Sequence, residues 1–510
     1  MRRALPLLWL PGLLAGFATA ARAQESEGTN APPSQGSAPE QPAPAAAAPA
    51  EVAAAAEVAA AAPAIAPPGS LAPKLGDFSA HGYFRGGFGA NIDQKGRQTC
   101  FQLSLPNGMF SKYRLGNECE VWAELDTRTV VYVGDDGSVA SVHFMPVAYI
   151  PTTYVGYVPN GATSTFAESG QPSTGATVAF PNLYADIKGI PWLYGGTAWA
   201  GTRYYKREEV YISDFFYWNP SGVGAGIEDV SLGQIWQAAP DSLRGVTFSY
   251  AAFAVDGEPN ANPPLPPVND LGIRSDFQIR GFRPYQGGEL QLGFQFIGDR
   301  SNDNPTAGVG LAGPTYGGWG ITIRHIQEVL GGDNKLVFQY GRGGGTGFGT
   351  LARFYYPDFS LNYSTSESRW RALDVLTIQP TDWFGLQADV VAQHDNSTPS
   401  QTGYWFSAGT RASIGFTQHA KLLGEVGHDS FFVTNGQSFT SNWRDLTKLT
   451  GAVALCSAKG FMARPELRLF YTWAMWNGRA RTAGIDSGNV YQNTSNLSGA
   501  TAGLQAEAIW

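Results

Sequence analysis

The chain has 510 residues and a formal net charge of −8, and only 15% of it is Asp, Glu, Lys or Arg. Its 63 glycines, its 14 tryptophans and the lack of a sustained helical apolar period disfavour a helical domain, and the lack of basic clusters argues against a nucleic-acid partner. No stretch reaches the roughly 18 uninterrupted apolar residues of a membrane-spanning helix.

The first predicted element is a leader. Residues 1–23, "MRRALPLLWLPGLLAGFATAARA", place two arginines before a short apolar run and end on small residues. That is the pattern of a secretory signal peptide cut after Ala23, with Ala18-Thr19-Ala20 as a second site. Residues 24–76 are rich in Ala and Pro and almost devoid of large apolar side chains. Such a segment buries too little area to offset its ordering entropy, so it is expected to be a disordered arm in the periplasm. A passive linker is the simpler reading of it, an oligomerising arm the alternative. At Asp77 the composition changes: aromatics become frequent while charge stays low, which marks 77–510 as the folded domain.

Within that domain, short segments alternate with period 2. In "SKYRLGNECEVWAEL" (Ser111–Leu125), Tyr113, Leu115, Val121, Ala123 and Leu125 oppose Arg114, Glu118, Glu120, Trp122 and Glu124. Leu290, Leu292, Phe294 and Phe296 oppose Gln291 and Gln295. In "ELRLFYTWAMW", Leu467, Leu469, Tyr471 and Trp473 oppose Glu466, Arg468, Phe470 and Thr472. A soluble sandwich alternates in the same way. Strands of about ten residues, export without a helical anchor and a final alternating strand ending on Trp510 favour a transmembrane antiparallel β-barrel. Repeats of roughly 20–27 residues make about 16 to 20 strands, wide enough for an open, water-filled lumen. Apolar faces then meet outer-membrane lipid and polar faces line the channel.

On that reading Trp122 points into the lumen beside charged groups, rather than standing in an interfacial girdle. Tyr83 shares a face with His81 and Arg85, and Trp405 with Ser407 and Arg411. Sugar rings carry C–H bonds on their faces and hydroxyls at their edges. Aromatics match the faces, and carboxylates and guanidinium groups match the hydroxyls. The richest mixture is "GTRYYKREEVYISDFFYWNPSGVGAG" (Gly201–Gly226), which suits a loop folded into the lumen better than a lipid-facing stretch; a solvated surface loop is the alternative. Cys100 and Cys119 enclose 18 residues, a spacing that admits a disulfide in an exported protein, which leaves Cys456 over. There is no G-x-S-x-G elbow, and the six histidines show no metal-ligand spacing. Glu208, Glu209 and Asp214 read more simply as channel acids than as a glycosidase pair. Neither an enzyme nor a cofactor is expected.

The motifs "HGYFRGG", "SKYRLGNECEVWAEL", "WAGTRYYKREEVYISDFFYWNPSGVGAGIEDV", "RHIQEVLGGDNKLVFQYGRG" and "RPELRLFYTWAMW" together resemble the maltoporin (sugar porin) family over essentially all of residues 79–510. The resemblance implies a homotrimer of 18-stranded barrels that takes up maltodextrins. A slide of aromatics, a polar track and an inward-folded third loop would line each barrel. Tyr83, Trp122 and Trp405 are similar to slide aromatics. Arg85, Arg114 and Glu124 are similar to track residues, and Arg207, Glu209 and Asp214 to third-loop charges. Cys100 and Cys119 match the family's first-loop disulfide. Some positions depart from the pattern. Phe216 replaces a constriction tyrosine and Tyr211 a loop histidine. Ile321 and Ile509 stand where slide aromatics are expected. Tyr157 is the nearest match for the second-loop tryptophan. These changes imply weaker binding of long maltodextrins. The expected cargo is therefore maltose, maltodextrins or related oligosaccharides, with general diffusion of small solutes as the alternative.

Overall fold

The computed structural model describes residues 73–104, 110–151, 177–236, 238, 240–255, 272–300, 316–347, 367–398, 401–435, 443–485 and 490–510. The leader, residues 24–72 of the arm, and Tyr157 lie outside them.

Eighteen long strands follow one another. They are β1 (Phe78–Asn91), β2 (Glu120–Val133), β3 (Val139–Pro151), β4 (Thr177–Ile190), β5 (Gly196–Arg203), β6 (Gly222–Ser231), β7 (Thr247–Val255), β8 (Gly272–Tyr285), β9 (Gly288–Arg300), β10 (Tyr316–Val329), β11 (Gly332–Gly343), β12 (Ser368–Ile378), β13 (Phe384–Thr398), β14 (Gln401–Thr417), β15 (Ala420–Asn435), β16 (Trp443–Cys456), β17 (Glu466–Trp476) and β18 (Ser498–Ile509). Each pairs antiparallel with its neighbours in the chain. The seam joins β1 to β18, with Tyr83 opposite Ile509 and Gly87 opposite Gln505. Closure leaves no edge strand, the condition for a sheet to sit in lipid.

Alternation decides which face each side chain takes. Leu292, Phe294 and Phe296 are exposed on the exterior, while Gln291 and Gln295 are buried inside. Leu467, Leu469 and Tyr471 likewise stand outside, and Glu466, Arg468 and Thr472 inside. One rim carries short turns. Leu330 (φ 45°) and Gly331 (φ 75°) alone join β10 to β11, a two-residue hairpin whose turn needs positive φ at both positions. The opposite rim carries the longer connections, including those after β1 and β5.

Two expectations need correction. The alternation over Ser111–Cys119 predicts strand, but strand begins at Glu120 and residues 112–119 are a loop buried on all sides. Its apolar members pack against the barrel wall and its charged members join an ion network, so both faces are covered by protein. The width of the barrel also predicts an open lumen. In the structure most inward side chains at mid-height are buried, because segments from both rims fold in to meet them.

Candidate channel constriction

The first inward segment lies between β1 and β2. The Cys100–Cys119 disulfide ties its two ends, with Cα atoms 5.9 Å apart. The Asn117 side chain staples it further, accepting from the Phe101 amide at 2.7 Å and donating to the Phe101 and Tyr113 carbonyls at 2.6 and 3.1 Å. Tyr113 crosses the lumen and lies flat on Gly409 and Gly427, where any Cβ would collide with its ring. Its hydroxyl sits 3.0 Å from Ser407 and 3.3 Å from Asp389. Lys448 of β16 donates to the Leu115 carbonyl at 2.8 Å.

The second inward segment joins β5 to β6. It is a small hairpin, Glu208–Val210 against Phe215–Trp218, turned by a 3₁₀ turn at Tyr211–Ser213 and by Asp214 in the left-handed region (φ 53°). It reaches the far wall. The Ile212 amide donates to Gln387 at 3.0 Å, and Gln339 donates to the Tyr217 carbonyl at 2.9 Å. Glu208 pairs with Arg280 at 2.8 Å and with Arg324. Burial raises the Glu208 carboxyl, but Arg324 and Arg280 hold it down at about 2. The two inward segments also bond to each other, the Arg114 amide donating to the Ile212 carbonyl at 3.0 Å.

The residues singled out in the sequence fall in two places. On the β1–β3 wall, Tyr83 and Trp122 pack with Met145 and Val147, with Tyr149, Tyr204 and Ile509 against them. The Trp122 indole donates to Glu124 at 2.7 Å, and the Arg85 guanidinium lies 5.6 Å from its ring. Arg85 pairs with Glu118 at 3.3 Å, Glu120 at 2.7 Å and Asp214 at 3.1 Å, tying the strand to both inward segments. Arg114 pairs with Glu118 at 2.6 Å and with Glu507 at 3.4 Å. Arg207 stacks on Tyr204, 3.3 Å from its centroid, and lies 5.0 Å from Phe216. Trp405 stands on β14 instead, edge-on to Phe215 at 5.0 Å.

Exposure separates these rings. Tyr83, Trp122 and Trp405 point inward but are only 1%, 0% and 4% exposed, covered by their neighbours. The half-exposed rings of the constriction are Tyr149, Tyr204, Phe215 and Phe216. Ile321 does not enter the lumen at all: Thr322 and Arg324 are the buried, inward residues of β10. Several polar atoms find no hydrogen-bond partner among the described residues: both terminal nitrogens of Arg207, one oxygen of Glu209 and one of Asp214. Burial and the adjacent Asp214 push the Glu209 carboxyl up to about 8 against the pull of Arg114 and Arg207. Burial also raises Asp214, but Arg85, Arg114 and Lys112 hold it at about 2.

Sequence reasoning missed the ion network below these residues. Glu507 on β18 accepts from Tyr211 at 2.7 Å and from Arg464 at 2.7 Å, and pairs with Arg468. The inward parity of Glu466, Arg468 and Glu507 was a usable signal. Arg464 sits in a turn, where parity carries none.

A closed barrel with an apolar exterior, a charged interior and a constriction made by inward loops is a porin-type channel of the outer membrane. A sequence model of the LamB porins matches residues 78–510, and the chain belongs to that family. Solved barrels of similar course include Pseudomonas aeruginosa OpdK with vanillate, at 10% identity over 86% of this chain and 100% of that one with a TM-score of 0.42. Acinetobacter baumannii OccAB2 matches at 9% identity over 85% and 98% with a TM-score of 0.42. The trimer form of Vibrio cholerae OmpT matches at 10% identity over 86% and 100% with a TM-score of 0.37. Likeness at this level carries no functional information.

Proposed function

We propose that this porin is a sugar-selective channel for facilitated diffusion of maltose, maltodextrins or related oligosaccharides. One observation carries the reading. The Tyr204 and Phe216 rings are half-exposed, and the buried Arg207 guanidinium lies 3.3 and 5.0 Å from their centroids with its terminal nitrogens unpartnered among the described residues. Half-exposed rings backed by charged side chains suit a pyranose, whose faces are C–H and whose edge is hydroxyl. Exchanging one such set of contacts for the next lets a sugar chain bind and still leave. Tyr83, Trp122 and Trp405 then back the path as aromatics, and Arg85, Arg114 and Glu124 extend its polar side. We further infer a homotrimer, a leader cut after Ala23 and residues 24–76 as a periplasmic arm.

The test is current block in planar bilayers by a graded series of maltooligosaccharides. Arg207→Ala and Phe216→Ala should each weaken block about ten-fold or more, the loss of one charge-assisted contact or one stacking surface. Block of the same strength in both variants would refute this reading. The cover over Tyr83, Trp122 and Trp405 favours a second reading, general diffusion of small solutes. Conductance insensitive to every saccharide would establish it.

A further inference from the structure

Most turns on the short-turn rim only reverse the chain, but residues 457–465, between β16 and β17, enter the barrel. Phe461 is buried, donates its amide to Gln379 at 2.7 Å and meets the Tyr211 ring edge-on at 6.4 Å. The buried Lys421 ammonium donates to the Gly460 carbonyl at 2.6 Å and to Glu466 at 2.7 Å. Arg464 is the centre of the turn. Its Nε donates to Glu507 at 2.7 Å, its Nη1 reaches Glu466 at 3.1 Å and the Ala463 carbonyl at 3.0 Å, and its Nη2 donates to the Tyr211 hydroxyl.

Tyr211 is the tip of the hairpin that narrows the channel. Arg114 covers its ring at 4.8 Å and Arg464 at 5.4 Å. The hairpin tip is therefore held by the first loop, by Glu507 of the barrel wall and, through Arg464 and Phe461, by a turn from the opposite rim. That rim is the periplasmic one by the rule that outer-membrane barrels have short periplasmic turns.

We propose that residues 457–465 form a strap that sets the channel's width from the periplasmic side, with Arg464 as the positioning residue that holds the third-loop tip through Tyr211. The strap closes the part of the lumen beneath the tip and confines passage to the Arg207–Phe216 side. Removing Arg464 leaves Glu507 still paired with Arg468 and Arg114, so both buried carboxylate partners of the network keep cations while the tip loses one of its lower contacts. The inference rests on the chain being a channel and is independent of the cargo.

The test uses the full chain in planar bilayers, with heat-modifiable migration as the check that the barrel is formed. Arg464→Ala should raise unit conductance in KCl about two-fold, since ion flux follows the open cross-section. It should also admit larger polyethylene glycols from the periplasmic side while leaving the size limit from the other side unchanged. Arg464→Lys, which keeps the charge and one donor, should restore part of the narrow state. Phe461→Ala and Tyr211→Phe test the same contacts where Arg464→Ala fails to fold. Combining Arg464→Ala with Tyr211→Phe should change conductance by less than the sum of the two single changes, because the Arg464–Tyr211 contact is lost in both. Wild-type conductance and size limits in the folded variants, or full additivity of the pair, would overturn the strap. Loss of saccharide block with these conductances intact would instead count against the sugar reading alone.

Discussion

Raising the pH from 6 to 9 should make the constriction more negative, in part through Glu209. Its carboxyl is raised to about 8, by burial first and by Asp214 second. At pH 6 only about 1% of channels then carry the ionised form, and at pH 9 about 90% do. Asp214 beside it is already ionised over that interval, so Glu209 itself contributes one added negative charge. An ion passing at about 4 Å through water gains or loses about 1 kcal/mol against a unit charge, roughly five-fold in partition. Preference for cations over anions should therefore rise several-fold between pH 6 and 9. The assay is the reversal potential across a KCl gradient at both pH values, for the wild type and for Glu209→Gln. The wild type should shift more than the variant. A flat wild-type profile, or the same shift in both proteins, refutes the reasoning. The sign for stability follows from the same shift. The folded state binds this proton more tightly than the unfolded chain, so Glu209's contribution falls as pH rises from its ordinary value near 4.5 through about 8.

Two further outcomes follow from packing. Trp122→Ala empties a fully buried site between Tyr83, Met145 and Val147 and should cost about 3–5 kcal/mol, read as a lower temperature for loss of the folded band in detergent gels. An unchanged midpoint would mean that the indole is not packed as described. Gly427→Ala puts a Cβ into the Tyr113 ring and should unseat the first loop, seen as increased open-channel current noise. Noise at the wild-type level would show that Tyr113 is not held on that glycine.

The barrel was legible because each strand has two different solvents. Leu292 and Phe294 face lipid while Gln291 and Gln295 face the lumen, and that contrast prints a period of 2 on the chain. The third loop was legible for the complementary reason: Arg203 to Trp218 holds too many charges for lipid and too many rings for bulk water. The first loop was misread because its alternation has another cause. Tyr113 and Leu115 pack on the far wall while Arg114 and Glu118 join the ion network, which mimics a strand without being one. The cover over Trp122 and Trp405 was also hidden, since parity reports which way a side chain points and says nothing about what lies on top of it. The turn at 457–465 offered no periodicity, and only its contacts with Tyr211 and Glu507 reveal it.

Glu507 lies on β18, the strand that closes the cylinder against β1. Until β18 docks, the guanidinium groups of Arg114, Arg464 and Arg468 share a cavity without their common counterion. Glu118 and Glu466 neutralise part of that charge, and β18 adds the one carboxylate that all three share. Closing the cylinder therefore also brings the first loop, the third-loop tip and the 457–465 turn onto one carboxylate.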